Sequence, residues 1–228
     1  MKNMKTLIPL LKIALLASLS TSSAIDYVAQ SNTLRAIAAG NSAFVAVDGH
    51  GRLLASSNRV DWVLQNSGTV SSLYAVAFGN GRFVAVGDEG ALLTSPDSIC
   101  WTVGNPGTDD RLRGIAFGNA RFVAAGYNGT ILTSKDGLSW TLQFSGVAER
   151  LQSVAFGHGR FVVVGWGGQI LTSSRGLNWA KRNSGTTCNL SSVSFENETF
   201  VVTDASQNRM ISLNGTAWTN RSAAIAQR

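Results

Sequence analysis

Five serines, Ser56, Ser95, Ser134, Ser173 and Ser212, recur at a constant step of 39 in the sequence. The same step separates Leu34, Leu73, Leu112, Leu151 and Leu190, and also Trp62, Trp101, Trp140, Trp179 and Trp218. The stretch from Leu34 to Arg228 is five such steps long, so no insertion interrupts the series. A period of about 40 residues restricts a chain to a propeller or a solenoid, because one unit of that size must stack on its neighbours to bury its apolar face. The units are 34–72, 73–111, 112–150, 151–189 and 190–228.

The second unit shows what each contains. "LYAVAF", "RFVAV", "ALLTS" and "CWTVG" are short β-rich runs, separated by "GNG", "GDEG" and an Asp-containing turn. Four such runs with turn residues between them make one antiparallel sheet. No helical period is present beyond the opening segment 1–24. "FVVV" at 161–164 is apolar on both sides, as a strand covered on both faces requires. The expected architecture is all-β, a five-bladed β-propeller of five four-stranded repeats, with the tryptophans filling the seams between blades. An open arc that pairs with a second chain is the alternative. "DYVAQ" at 26–30 resembles "DWVLQ" at 61–65, so residues 25–33 are expected to form an N-terminal strand that latches the ring. Repeat five carries a fourth strand of its own at Trp218, and either strand fits as the closing one.

Residues 1–24 read as a secretory signal peptide. Lys2 and Lys5 precede an apolar run from Thr6 to Leu19, and small residues lead to a cut near Ala24–Ile25. The run is short of the roughly 20 residues a membrane span needs. A secreted or periplasmic protein with no stable span after cleavage is expected. The precursor has 19 basic and 13 acidic residues; removing Lys2, Lys5 and Lys12 leaves 16 against 13, a net +3. That is too mild for a nucleic-acid partner. Cys100 and Cys188 fall on non-adjacent blades, at opposite faces, too far apart for a disulfide.

"SKDGLSW" at 134–140 and its counterparts look like the Asp-box, the bacterial neuraminidase repeat. The longer pattern of the second to fourth strands resembles the photosystem II stability/assembly factor group of that superfamily. The resemblance covers the whole chain after the expected cut near Ala24–Ile25; it is specific for the fold and weak for activity. It implies that the boxes are structural hairpins remote from any active site, and that the protein is a scaffold binding a protein partner. The Asp position holds Asn58, Asp97, Asp136, Arg175 and Asn214, so three boxes are expected to lack the Asp hydrogen bonds.

Sialidases share the repeat, but their Phe-Arg-Ile-Pro-like segment is absent here. Arg82, Arg121 and Arg160 occupy one repeated turn position and cannot converge on one small substrate. Glycoside hydrolysis needs two carboxylates facing each other across the sugar. Asp88 and Glu89 are neighbours in one loop and would point apart. His158 stands where other repeats carry Asn, and His50 has no ligand partners nearby in sequence. The Gly-rich turns precede strands, not helices, so no phosphate cradle forms. No catalytic residue, metal or cofactor is expected.

The repeats disagree at one loop. After the second strand they read "VDGHGR", "GDEGA", "GYNGT", "GWGGQ" and "TDASQN". Loops are where function varies on a fixed scaffold. In a propeller this loop shares a face with the loops between blades. His50, Asp88, Glu89, Tyr127, Asn128 and Trp166 are therefore the candidate binding residues, for a protein or a glycan. Arg82, Arg121 and Arg160 form a second candidate patch on the opposite face.

Overall fold

The computed structural model describes residues 34–221. The leader at 1–24 and the strand expected at 25–33 lie outside them. The described chain is a β-propeller of five blades, each a four-stranded antiparallel meander in chain order. Blade one is β1 (Leu34–Gly40), β2 (Ala43–Asp48), β3 (Leu53–Ser56) and β4 (Val63–Gln65). Blade two is β5 (Leu73–Gly79), β6 (Arg82–Gly87), β7 (Leu92–Ser95) and β8 (Thr102–Val103). Blade three is β9 (Leu112–Gly118), β10 (Arg121–Gly126), β11 (Ile131–Ser134) and β12 (Thr141–Gln143). Blade four is β13 (Leu151–Gly157), β14 (Arg160–Gly165), β15 (Ile170–Ser173) and β16 (Ala180–Arg182). Blade five is β17 (Leu190–Glu196), β18 (Thr199–Asp204), β19 (Arg209–Ser212) and β20 (Thr219–Arg221).

The core lies between the blades. Phe83, Phe122, Phe161 and Phe200 are fully buried, as are the valines beside the first three. The "FVVV" run is buried along its whole length, because blades three and five cover its two faces. Trp101, Trp140, Trp179 and Trp218 each pack into the seam with the preceding blade. Such a seam fixes spacing tightly. A Cβ on Gly79 or Gly118 would lie 2.1 Å from the ring of Phe117 or Phe156 in the next blade. Only glycine lets the neighbouring blade approach this closely.

The "DG" turns behave as the box pattern predicts, with one correction. Asp136 Oδ1 accepts from the backbone N–H of Leu138 at 2.9 Å and of Ser139 at 2.8 Å. Asp97 does the same with Ile99 and Cys100. Asn58 and Asn214 were expected to lose these bonds. Instead their amide oxygens accept the same pair of N–H groups, at 2.8 Å each for Asn58 and at 2.9 and 3.3 Å for Asn214. An amide oxygen is an acceptor of the same reach as a carboxylate oxygen. Both cysteines are free and exposed.

The inner strands β1, β5, β9, β13 and β17 pack side by side in series, each on the next. Strand β17 does not return to pack on β1 in the same way. The sequence marks this junction. Where blades two to five present Phe78, Phe117, Phe156 and Phe195 to the preceding blade, blade one has Ala39. Where blades one to four receive that ring on glycine, blade five has Glu196.

Candidate functional site

The turns after β6, β10 and β14 are short 3-10 turns, Asp88–Gly90, Tyr127–Gly129 and Trp166–Gly168. The backbone N–H groups of Asp88, Tyr127 and Trp166 donate to the carbonyls of Ser72, Arg111 and Arg150 at 2.8, 2.9 and 2.9 Å. Those carbonyls end the loops that lead into the same blades. On the other side, Gly90, Gly129 and Gly168 lie against the loop that leaves the blade, with positive φ. A Cβ there would meet the carbonyl of Thr108, Val147 or Thr186 within 2.0 Å. Each variable turn is thus clamped between two inter-blade loops. The expectation that turn and inter-blade loop share one face agrees with this.

The clamping lines up aromatic rings and arginines across three blades. Tyr74, the second residue of β5, donates its hydroxyl to Asp88 Oδ2 at 2.7 Å. Arg111 forms an ion pair with Asp88 Oδ1 and donates to the Tyr127 hydroxyl at 3.3 Å. Its guanidinium carbon lies 5.0 Å from the Tyr127 ring centroid. Arg150 lies between the next two rings, 4.5 Å from Tyr127 and 4.2 Å from Trp166. Arg113 stands 4.1 Å from the Tyr74 ring and donates to Gln152 of blade four at 3.1 Å. The sequence Tyr74–Arg111–Tyr127–Arg150–Trp166 is a ladder of alternating rings and cations. Each contact contributes about 0.5–1 kcal/mol at an exposed position. Together they restrict side chains that would otherwise rotate freely. The Tyr127 hydroxyl, followed by Tyr74 and Asp88, favours the charged form of Arg111 and raises its pKa.

The predicted residues divide. Asp88, Tyr127 and Trp166 belong to the ladder. Glu89 turns aside and accepts from Ser71 Oγ at 3.1 Å. Asn128 donates to Asp110 at 2.6 Å. Glu89 and Asn128 line two separate clefts whose outer walls are the fourth strands of blades two and three. His50, in blade one, sits beside Asp48 and Arg52 instead. Asp88 and Glu89 diverge to different partners, so these two carboxylates do not face a common substrate position. Among the described residues, no group of three His, Cys, Asp or Glu could hold a metal ion, and no helix is long and apolar enough to cross a membrane.

Sequence reasoning missed Arg111 and Arg150. Both occupy the last position of an inter-blade loop, one repeat step apart, where blades two and five carry Ser72 and Asn189. Comparing that column with the one holding Tyr127 and Trp166 would have found them. The second patch is also altered by geometry. The stems of Arg82, Arg121 and Arg160 run beneath the box turn of the following blade. Their Cδ atoms lie 3.2, 3.3 and 3.2 Å from where a Cβ would sit on Gly137, Gly176 and Gly215. These three arginines have a packing role at the blade seams.

No family model matches the chain, and no curated protein matches its sequence. Solved structures do match its fold. YCF48 bound to D1 peptide superposes with a TM-score of 0.61 at 15% identity, over 82% of this chain and 66% of that one. YCF48 from Cyanidioschyzon merolae gives 0.59 at 13%, over 81% and 70%. The computationally designed Ika8 protein gives 0.65 at 13%, over 82% and 61%. This chain therefore spans roughly two thirds of the length of each of these chains. It is a β-propeller that resembles the photosystem II assembly factor YCF48 in fold.

Proposed function

We propose that this protein is an exported, non-enzymatic scaffold that binds a protein partner on the face carrying the variable turns. The observation that carries this reading is the ring-and-arginine ladder from Tyr74 to Trp166. It spans blades two to four on one face, as an extended segment would require. Trp166 is exposed, and buried aromatic and arginine anchors dominate the energetics of protein interfaces. Asp88 is already paired, and no reacting centre accompanies it. The likeness to YCF48 bound to D1 peptide supports a polypeptide ligand. A glycan is the second class of ligand. It would stack on open ring faces, whereas Arg150 already covers one face of Tyr127 and one of Trp166.

A pull-down from the exported fraction, with the chain from Ile25 as bait, tests this. Bound proteins and glycans would both be identified. A protein recovered by the parent and lost with Tyr127→Ala/Trp166→Ala is the expected result. Recovery that is equal with both baits, or of glycan alone, overturns it.

A further inference from the structure

The loop that leaves each blade has a repeated frame, and blade three breaks it twice. In blades one, two and four it reads "NSGT", "NPGT" and "NSGT", beginning at Asn66, Asn105 and Asn183. The side-chain oxygens of these asparagines accept the backbone N–H groups of Gly68, Gly107 and Gly185 at 3.0, 2.8 and 2.9 Å. The hydroxyls of Thr69, Thr108 and Thr186 accept those of Ser71, Asp110 and Cys188 at 3.0, 3.1 and 3.0 Å. Such side-chain caps fix the course of a turn. Blade three reads "FSGV" instead, from Phe144 to Val147. Neither side chain has an oxygen with which to accept these bonds. Two caps in one loop have given way to apolar groups.

These groups do not fill the core. Phe144 is 89% exposed, and Leu142, two residues earlier in β12, is 63% exposed. With Val147 they line one cleft of about 480 Å³ at the outer edge of blade three. Among the described residues lining it, Asp110 alone is charged, and its two oxygens already accept from Asn128 at 2.6 Å and from Thr130. The cleft therefore suits an uncharged, apolar group. The corresponding cleft of blade two keeps Asn105 and Thr108 and has Glu89 in place of Asn128. Asn128 directly follows Tyr127, so the cleft of blade three is contiguous with the ladder. One cleft beside a strand of three residues falls well short of the roughly 1,200 Å² that a stable interface between two copies buries. It fits as one part of a longer contact.

We propose that this cleft receives a large apolar side chain, aromatic or branched aliphatic, from the same polypeptide segment that lies along the ladder. This rests on the reading of the ladder as a polypeptide site. The other blades show that the loop folds with Asn and Thr, so the fold does not require Phe144 or Val147. The ladder offers cations and ring faces along the segment, and the cleft adds a pocket for one of its residues. Extended contact gives affinity in such complexes, and pockets for single side chains give specificity. The recognised segment would then carry one large apolar residue at a fixed spacing from the residues seated on Tyr127 and Trp166.

A phage-displayed library of random dodecapeptides tests this, with the chain from Ile25 as bait. Peptides enriched by the parent and lost with Tyr127→Ala/Trp166→Ala are the ladder's own, and they should share one large apolar position. Fluorescence anisotropy then measures a selected peptide. Its alanine substitution at that position, and Phe144→Asn/Val147→Thr in the protein, should each weaken binding roughly tenfold, as the loss of one anchor does. Both changes together should weaken it no further than either alone. The variant restores the residues of the frame, so its Tm should equal or exceed the parent's. Ladder-dependent peptides that bind parent and Phe144→Asn/Val147→Thr equally overturn the cleft and leave the ladder reading standing. Peptides indifferent to Tyr127 and Trp166 overturn both. A marked fall in Tm gives Phe144 and Val147 a structural role instead, and a parent dimer that this variant dissociates makes a second copy the occupant; either result also overturns the proposal.

Discussion

At the scale of single residues, the box turns show how little the fold depends on charge. Asp136 is held well below the usual carboxylate range, to about 2, chiefly by the backbone N–H groups of Ser139 and Leu138. A depressed folded pKa stabilises the protein above the ordinary value of 3.8, and that contribution disappears as pH falls towards 2. Asn58 and Asn214 already make the same bonds without a titrating group. Asp136→Asn should therefore fold like the parent at pH 7 and lose part of the parent's fall in stability between pH 4 and pH 2. Urea unfolding at stepped pH measures this. A variant whose acid limb superimposes on the parent's would show that the turn is not coupled to folding.

At the scale of the element, the unit is the seam. Gly118 is bound by space alone, since its φ is not in the left-handed region. Gly118→Ala pushes a methyl group into the Phe156 ring. Overpacking of this kind costs about 1–3 kcal/mol. In a domain of this size that lowers Tm by roughly 2–4 °C per kcal/mol. Glu196→Gly, at the same position of blade five, should leave Tm nearly unchanged, because no ring arrives there. Calorimetry of the pair decides whether the seam works blade by blade. Nearly all of this layer was legible in the sequence. The step of 39, the paired "FV" and the "GNG" turns specify strands, order and packing through local chemistry. The ladder was less legible. Its aromatic members stand out by their rarity, but Arg111 and Arg150 meet them only because separate loops are clamped together. The Asn boxes were misjudged because residue identity was weighed above the acceptor oxygen that the turn requires.

At the scale of the molecule, stability passes from neighbour to neighbour along the series. A chain ending at 189 would uncover Val162, Val164 and Ile170, which blade five now buries. It should aggregate, and Val164→Thr/Ile170→Arg in that shorter chain should restore much of its soluble fraction. Light scattering of the two shorter chains distinguishes this from a general failure to fold. Blade five also differs on the face turned away from blade four, where Ser194, Glu196, Thr203 and Arg209 stand in place of the alanine, glycine and apolar residues of the other blades. A ring that closes on itself fixes the number of its repeats, since each seam must reappear at the join. Among the described residues, β17 and β1 do not pack on each other as the other inner strands do. Tandem duplication of an inner unit, such as 112–150, would insert a blade whose two faces already suit its new neighbours and leave both ends untouched. A chain with 112–150 duplicated in tandem should therefore fold with one more blade, and Ser194, Glu196, Thr203 and Arg209 would keep their place on the blade they occupy now.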